Sequence, residues 1–469
     1  MRRLVPDGPR KRTGPTTGVL ALTRDGATAP DPITHRLQLK AISGAVAGNL
    51  IDFLDFAIFG LLAKVISTTF FPPGDPTVAL LQTMMIYASS FLIRPLGGIV
   101  MGRVGDRLGR RTALFISVSG MCLVTAATAF LPSYAVAGSF ATVSLVFCRL
   151  AQGFFAGGEY TAATAYIVEQ GGSQHRALRA SFSPAAAYAG TAIAVGIFTL
   201  VSAIIGPESM AAWGWRLMFG LGVPLGLLGL WIRSQIDESP EFLAIEEERR
   251  RLRTEAPPLS AVVRSQWRRM LFFISILMSH TLSNYLVLGF LATYLTNFVK
   301  IGETHASLAI FIAQLVLMAS TITYGWVNDT VGRRPTLLAG CILVIPAMFL
   351  SFYVASFATP ASAIAAAVIP VLVYPLITSG MTIGLVDMFP REMRVTASGI
   401  AYNTGTALFG GTAPLVAAYL IERTGTPYAV PCYVAIIATI SFVSVFLYYD
   451  QRRSAPYVVP AAAVADPVA

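Results

Sequence analysis

Gly102-Arg103-Val104-Gly105-Asp106-Arg107-Leu108-Gly109-Arg110-Arg111 and Gly325-Trp326-Val327-Asn328-Asp329-Thr330-Val331-Gly332-Arg333-Arg334 share the pattern G-x-x-x-D-x-x-G-R-R at an offset of 223 residues. A second echo follows each of them. Glu169 precedes Arg176 by seven residues, Asp387 precedes Arg394 by seven, and the offset between these pairs is 218. Two separate matches at nearly one offset mark an internal duplication. Both repeated motifs follow apolar runs, so the duplicated unit is a membrane segment, and the halves are expected as parallel repeats about an axis along the membrane normal.

Composition agrees. Of 469 residues, 55% are apolar and 12% charged, about half the charge of a soluble globular domain. A bilayer core needs about 20 apolar residues per helix. Twelve such runs are present: 41–66, 77–102, 112–132, 139–168, 180–205, 214–232, 270–299, 305–328, 336–358, 361–388, 395–420 and 427–449. The expected fold is therefore an all-α membrane protein of two six-helix bundles. A basic, disordered tail is expected over 1–40, the first bundle over 41–232, a charged linker over 233–269, the second bundle over 270–449 and a short tail over 450–469. The linker holds seven acids and eight arginines, and Glu246-Glu247-Glu248-Arg249-Arg250-Arg251 reads as a solvated helix with i,i+4 pairs.

Charge in the short loops sets orientation. Arg103, Arg107, Arg110, Arg111, Arg176, Arg179, Arg333, Arg334, Arg391 and Arg394 lie on one side, with only Lys300 and Arg423 on the other. The N-terminal tail adds eight Lys/Arg against three acids. Both termini are thus expected in the cytoplasm, in a bacterial cytoplasmic membrane. The net charge of +10 is then topological, and no nucleic-acid partner is expected, because basic residues interleaved with aromatics on a soluble domain are missing. The four cysteines lie scattered in apolar runs, which excludes a zinc pattern or a disulfide framework.

Finer stretches give a family resemblance. The loop motif and its copy resemble those of the major facilitator superfamily. Gly48-Asn49-Leu50-Ile51-Asp52-Phe53-Leu54-Asp55-Phe56, Phe91-Leu92-Ile93-Arg94-Pro95-Leu96-Gly97-Gly98 and Arg149-Leu150-Ala151-Gln152-Gly153 through Gly157-Gly158-Glu159-Tyr160 resemble first-, second- and fourth-helix signatures of its metabolite:proton symporters. So do Trp213-Gly214-Trp215-Arg216, Glu238-Ser239-Pro240-Glu241-Phe242, Met388-Phe389-Pro390-Arg391 and Phe409-Gly410-Gly411-Thr412-Ala413-Pro414. Asp52 stands where that family usually has Glu. The resemblance implies alternating access, with relatives that carry 2-oxoglutarate, citrate, shikimate, proline or betaine. It also implies a cytoplasmic charge gate: Asp106 and Arg110 with Glu169 and Arg176, and a second copy of Asp329, Arg333, Asp387 and Arg394. Arg107 is expected to reach an acid in a neighbouring loop.

Charges inside the spans carry the chemistry, since one at the bilayer centre costs at least ~2.5–3.5 kcal/mol. Lys64, Arg216 and Asp387 sit near span ends, leaving Asp52, Asp55, Arg94, Arg149 and Glu159 deep. Asp52 and Asp55 are i,i+3 on one helix face, and a proton carrier needs such carboxylates. Asp55 is favoured as the proton site, with Asp52 and Glu159 as further proton-coupling candidates. Arg149 and Arg94 are candidate receptors for a substrate carboxylate; Arg149 could instead be a fixed partner for Asp52 or Asp55, and Glu159 one for Arg94. Gln152, which shares a face with Glu159, is a further candidate for substrate binding. In the second half, His280, Asn284, Tyr285, Gln314 and Asn403, with Tyr402, are softer substrate candidates.

The leading expectation is proton-coupled uptake of a small polar metabolite, an organic-acid anion, by a monomer that needs no cofactor beyond the coupling proton. A zwitterion such as proline or betaine is the alternative, and a transport-dead sensor with the same fold is a second. No G-x-x-x-x-G-K-[S/T] nucleotide loop occurs, and no nucleophile or metal spacing suggests an enzyme.

Overall fold

The structure, a computed structural model, describes residues 32–170 and 174–448. Residues 1–31 of the expected disordered tail and all of the 450–469 tail lie outside the described residues, while 32–40 are helical and continuous with the first span. Among the described residues twelve helices are long and apolar enough to cross a membrane. In chain order they are α1 Ile42–Leu61, α2 Val78–Arg107, α3 Arg110–Ala129, α4 Ser139–Glu169, α5 Arg176–Gly206, α6 Met210–Ser234, α7 Leu259–Asn297, α8 Glu303–Val331, α9 Arg333–Ala355, α10 Pro360–Asp387, α11 Arg391–Thr424 and α12 Ala429–Leu447.

Several boundaries move, and two of the shifts have an evident physical reason. Helix α7 begins at Leu259, eleven residues before the apolar run at 270. Arg264, Arg268 and Arg269 dilute the hydropathy there, yet Val262, Gln266 and Met270 recur at i,i+4 and are buried, which is helical periodicity. Helix α6 extends two residues past 232, to Ser234, and this carries Arg233 into the bundle. Within the linker, a helix spans Pro240–Leu252, with Ser239 as its N-cap accepting from the Phe242 amide and Pro240 in its first turn, both good starting signals.

Each half has its own apolar core, around Leu54, Phe59, Trp215 and Phe219 in the first and Phe273, Leu277, Phe290 and Tyr374 in the second. The halves meet chiefly where α2 crosses α11 and α5 crosses α8. These crossings are backbone-close. A side chain at Gly98 would run into Asn403 and the Gly399 carbonyl, and one at Gly325 into Ser181. Close approach of this kind uses small residues, the usual device for packing helices in lipid. Inside the first half, Gly153 and Gly157 of α4 abut the carbonyls of Ser90 and Arg94 on α2. Single π-turns interrupt α7 at Leu286–Phe290 and α11 at Thr406–Gly410, next to candidate residues Tyr285 and Asn403.

Candidate functional site

The deep charges separate into pairs of different character. Asp55 and Arg149 face one another from α1 and α4, with Arg149 Nη1 3.8 Å from Asp55 Oδ2. That is an ion pair without a hydrogen bond. All three guanidinium nitrogens of Arg149 are buried and lack a hydrogen-bond partner, and the group lies 3.6 Å from the centre of the Phe59 ring. Asp55 instead accepts hydrogen bonds from the Thr125 hydroxyl at 2.9 Å and from the Gln152 amide at 2.7 Å. Arg149 is thus a partner of Asp55, and Gln152 serves that carboxylate.

Glu159 differs. It is gripped by both terminal nitrogens of Arg233, one contact at 3.0 Å and the second shorter. Arg233 also donates to the carbonyls of Leu114 and Gly44. A bidentate pair whose arginine has every nitrogen engaged is a fixed pin between α4 and α6. Glu159 was expected as a proton-coupling residue, or otherwise as a partner of Arg94; its partner in this structure is Arg233, which enters the bundle when α6 continues past 232. Only a glycine at 48 leaves room for this pair, since a side chain there would overlap the Arg233 guanidinium.

Asp52 and Arg94 remain. Asp52 is buried and its Oδ1 has no hydrogen-bond partner; Arg94 is among its charged neighbours. The Arg94 guanidinium sits over two rings, 4.6 Å from Phe56 and 4.7 Å from Phe91. Phe91 packs edge-on against Tyr285 of the second half, with ring centres 5.5 Å apart. Pro95 continues α2 just past this point and leaves the Phe91 carbonyl without its helical donor. Asp52, Arg94 and Tyr285 therefore come together between the halves, with Asp52 Oδ1 and Arg94 Nε left without hydrogen-bond partners.

The softer candidates divide. His280 shares a 2.9 Å hydrogen bond with Thr378, and Asn284 accepts from the Tyr374 hydroxyl at 3.0 Å, so both join α7 to α10. Gln314 is buried with Oε1 unpartnered. Asn403 was expected at the substrate; in this conformation its amide donates to the carbonyls of Gly157 at 2.6 Å and Gly399 at 2.7 Å, tying α11 to α4. Beside it the rings of Tyr160 and Tyr402 stack across the halves at 4.6 Å.

At the arginine-rich end the gate residues form a closed network, wired differently from the expected pair of self-contained copies. Asp106 accepts from the Val395 and Thr396 amides at the start of α11, and Asp329 from the Ala177 and Leu178 amides at the start of α5. Glu169 receives Arg110 at 3.3 Å and Arg394 at 2.7 Å. Asp387 receives Arg176 at 2.8 Å and also Arg333. Each carboxylate thus takes one arginine from its own half and one from the other, so Arg176 and Arg394 exchange places relative to the expectation. Arg107 is exposed and outside these pairs.

The linker supplies residues that the sequence reading gave no role. Glu241 receives Arg394 at 2.7 Å and Arg176 at 4.0 Å, bridging both cross-half arginines. Arg249 donates to the carbonyls of Asp106 and Glu392. Glu238 accepts from the Arg110 and Arg111 amides that open α3; burial pushes its carboxyl above the usual range, against the opposing pull of those amides and that of Ser239. The signal that could have found them is the motif Glu238-Ser239-Pro240-Glu241, charged and set beside a helix start.

Comparison with known proteins follows the same lines. A family model described as Major Facilitator Superfamily matches residues 45–406 and, again, 273–467. A proline/betaine transporter of Salmonella typhimurium is 30% identical over 411 residues, covering 86% of this chain and 82% of that protein. The alpha-ketoglutarate permease of Escherichia coli is 31% identical over 411 residues, covering 87% and 93%. Among solved structures, the proton:xylose symporter XylE bound to 6-bromo-6-deoxy-D-glucose superposes with a TM-score of 0.71 at 16% identity, over 89% of this chain and 96% of that one.

Proposed function

The chain belongs to the major facilitator superfamily and is a multi-pass cell-membrane transporter; from that premise we propose that it imports a small carboxylate-bearing metabolite together with a proton. The observation that carries this reading is the Asp55–Arg149 pair. It is buried, 3.8 Å apart and without a direct hydrogen bond, so a proton on Asp55 abolishes the attraction while breaking no bond that Arg149 makes. Coulomb attraction across such a gap in low dielectric is several kcal/mol, enough to couple a protonation to a helix movement. Glu159, locked to Arg233, does not take part; Asp52 is the second carboxylate that could.

Arg94 is the receptor for the substrate carboxylate. Arg149 is withdrawn under Phe59 and Phe219, whereas Arg94 lies where α2 meets α7 and has Nε unpartnered. A guanidinium gives bidentate, planar recognition of a carboxylate. With Asp52 neutral, the site holds one surplus positive charge and suits an organic-acid anion. One observation favours a second reading: the free Oδ1 of Asp52 beside Arg94 offers opposite charges to the two ends of a zwitterion. Relatives of both kinds exist.

Alternating access then uses the arginine-rich end as the cytoplasmic gate, shut in the conformation described. The test is uptake into proteoliposomes with an imposed inward proton gradient, scanning labelled di- and monocarboxylates against proline and betaine. Concentrative uptake that a protonophore abolishes is the expected result. Uptake that ignores the gradient, or transport of none of these, contradicts the reading.

A further inference from the structure

Three side chains from three helices, the coupling carboxylate among them, close a hydrogen-bonded ring. Thr125 of α3 donates to Asp55 Oδ1 at 2.9 Å, the Gln152 amide of α4 donates to Asp55 Oδ2 at 2.7 Å, and the same amide nitrogen donates to Thr125 Oγ1 at 3.0 Å. Both hydrogens of the amide are thereby engaged, and the arrangement suits an ionised carboxylate, which can only accept. The other end of the amide is idle: Gln152 Oε1 is buried and has no partner. An unpartnered buried acceptor costs free energy comparable to a lost hydrogen bond, so a use for it in another state is the physical question it poses.

We infer that Gln152 and Thr125 are positioning residues that switch with the charge on Asp55. A proton arriving from water adds to Asp55 Oδ2, and no covalent bond breaks elsewhere. The neutral acid has one O–H to donate. Rotation of the Gln152 amide about its last torsion puts Oε1 where the nitrogen was, and Oε1 accepts a hydrogen bond from that O–H; the amide nitrogen gives up Asp55 Oδ2 and Thr125 Oγ1, while the Thr125 hydroxyl keeps donating to Oδ1. The loaded carboxyl is then satisfied without Arg149, which leaves its pair and keeps its seat on the Phe59 face. Terminal amide torsions are broad and two-fold, so the turn is a low barrier. The other ionisable groups around this ring are Arg149 and Cys148 on α4, Tyr87 on α2 and Asp52 on α1 itself. Thr125 and Gln152 carry no charge of their own, and their bonds here run to Asp55 and to one another, so they act through Asp55. This rests on Asp55 being the coupling site, and it replaces the substrate-binding role first expected of Gln152.

The experiment is infrared titration of the purified full-length protein in lipid, following the carboxylic-acid C=O band that disappears in Asp55→Asn. In Gln152→Leu and Thr125→Val, both close in volume to the native residue, the midpoint of that band moves to higher pH by about one pH unit, because the ionised form loses a charge-assisted donor. In Gln152→Leu the band also rises in frequency, since the acid O–H has lost its acceptor. Thr125→Ser, which keeps the hydroxyl, retains the native midpoint. A band assigned to Asp55 whose midpoint and frequency are unmoved in both variants overturns the switch and leaves the coupling site standing. A protein in which Asp55→Asn removes no band overturns the coupling site itself, and the switch with it.

Discussion

Asp106 accepts the Thr396 amide at 2.8 Å and Asp329 accepts the Leu178 amide at 2.8 Å, and the two contacts are copies of one another. Adding the motif offset of 223 turns Asp106 into Asp329, and adding the loop offset of 218 turns Leu178 into Thr396. The duplication is therefore expressed as a two-fold set of contacts in which each half holds the first turn of a helix in the other. A carboxylate at a helix N-terminus satisfies orphan amides and faces the positive end of the dipole, worth up to ~2 kcal/mol when partly buried.

Asp106→Asn keeps the shape and removes the charge. The expected outcome is a gate that opens more often: a cysteine placed at Ser398, buried on α11, should react with a thiol reagent up to about 30-fold faster, the factor that ~2 kcal/mol implies. Unchanged labelling would mean that the capping contact does not hold the gate.

The Glu159–Arg233 pin predicts loss of stability rather than of coupling. Glu159→Gln leaves Arg233 as a buried charge with its main partner gone, which costs about 3–5 kcal/mol. The melting temperature in detergent should fall sharply, and replacing both residues by leucine should recover much of it. A double variant no better than the single one contradicts the assignment.

Arg94 held over Phe56 and Phe91 bears on anion against zwitterion. Rings that already receive a guanidinium can receive an ammonium once Arg94 turns to a substrate carboxylate, a contact worth ~0.5–2 kcal/mol. Competition by glycine betaine against tert-butylacetate, the isosteric anion that lacks the ammonium charge, decides. Betaine better by several-fold, with the preference lost in Asp52→Asn, fixes the zwitterion; equal or better competition by tert-butylacetate fixes the anion. Failure of Arg94→Gln to weaken either removes Arg94 from the substrate site.

Glu238 gives a pH dependence at the gate. Burial raises its folded-state pKa, so the folded protein holds this proton more firmly than the unfolded chain. The contribution to stability is present in acid and is lost as pH climbs from the usual carboxylate range through the raised value. The fall of melting temperature with rising pH over that window should be shallower in Glu238→Gln. An identical slope in both proteins would contradict this.

Much of the architecture was legible because it is written in composition and repetition. Twelve apolar runs, a long charged linker and the two copies of the arginine motif lead directly to the twelve spans. The pairing of charges was not legible in the same way. Glu169 could meet Arg176 seven residues on or Arg394 in the other half, and only the crossings of α2 with α11 and α5 with α8 decide. Arg233 was overlooked because hydropathy ends α6 at 232 while hydrogen bonding ends it at Ser234. Thr125 was overlooked because a lone threonine in an apolar run carries no signal until α3 is laid beside α1.

The central claim is that Asp55 carries the coupling proton. The direct measurement is Asp55→Asn in proteoliposomes, comparing gradient-driven accumulation with exchange of labelled for unlabelled substrate at equal pH. Exchange needs no net proton movement, so the account predicts that exchange persists while accumulation is lost. A variant that still concentrates substrate against its gradient as the native protein does would contradict it.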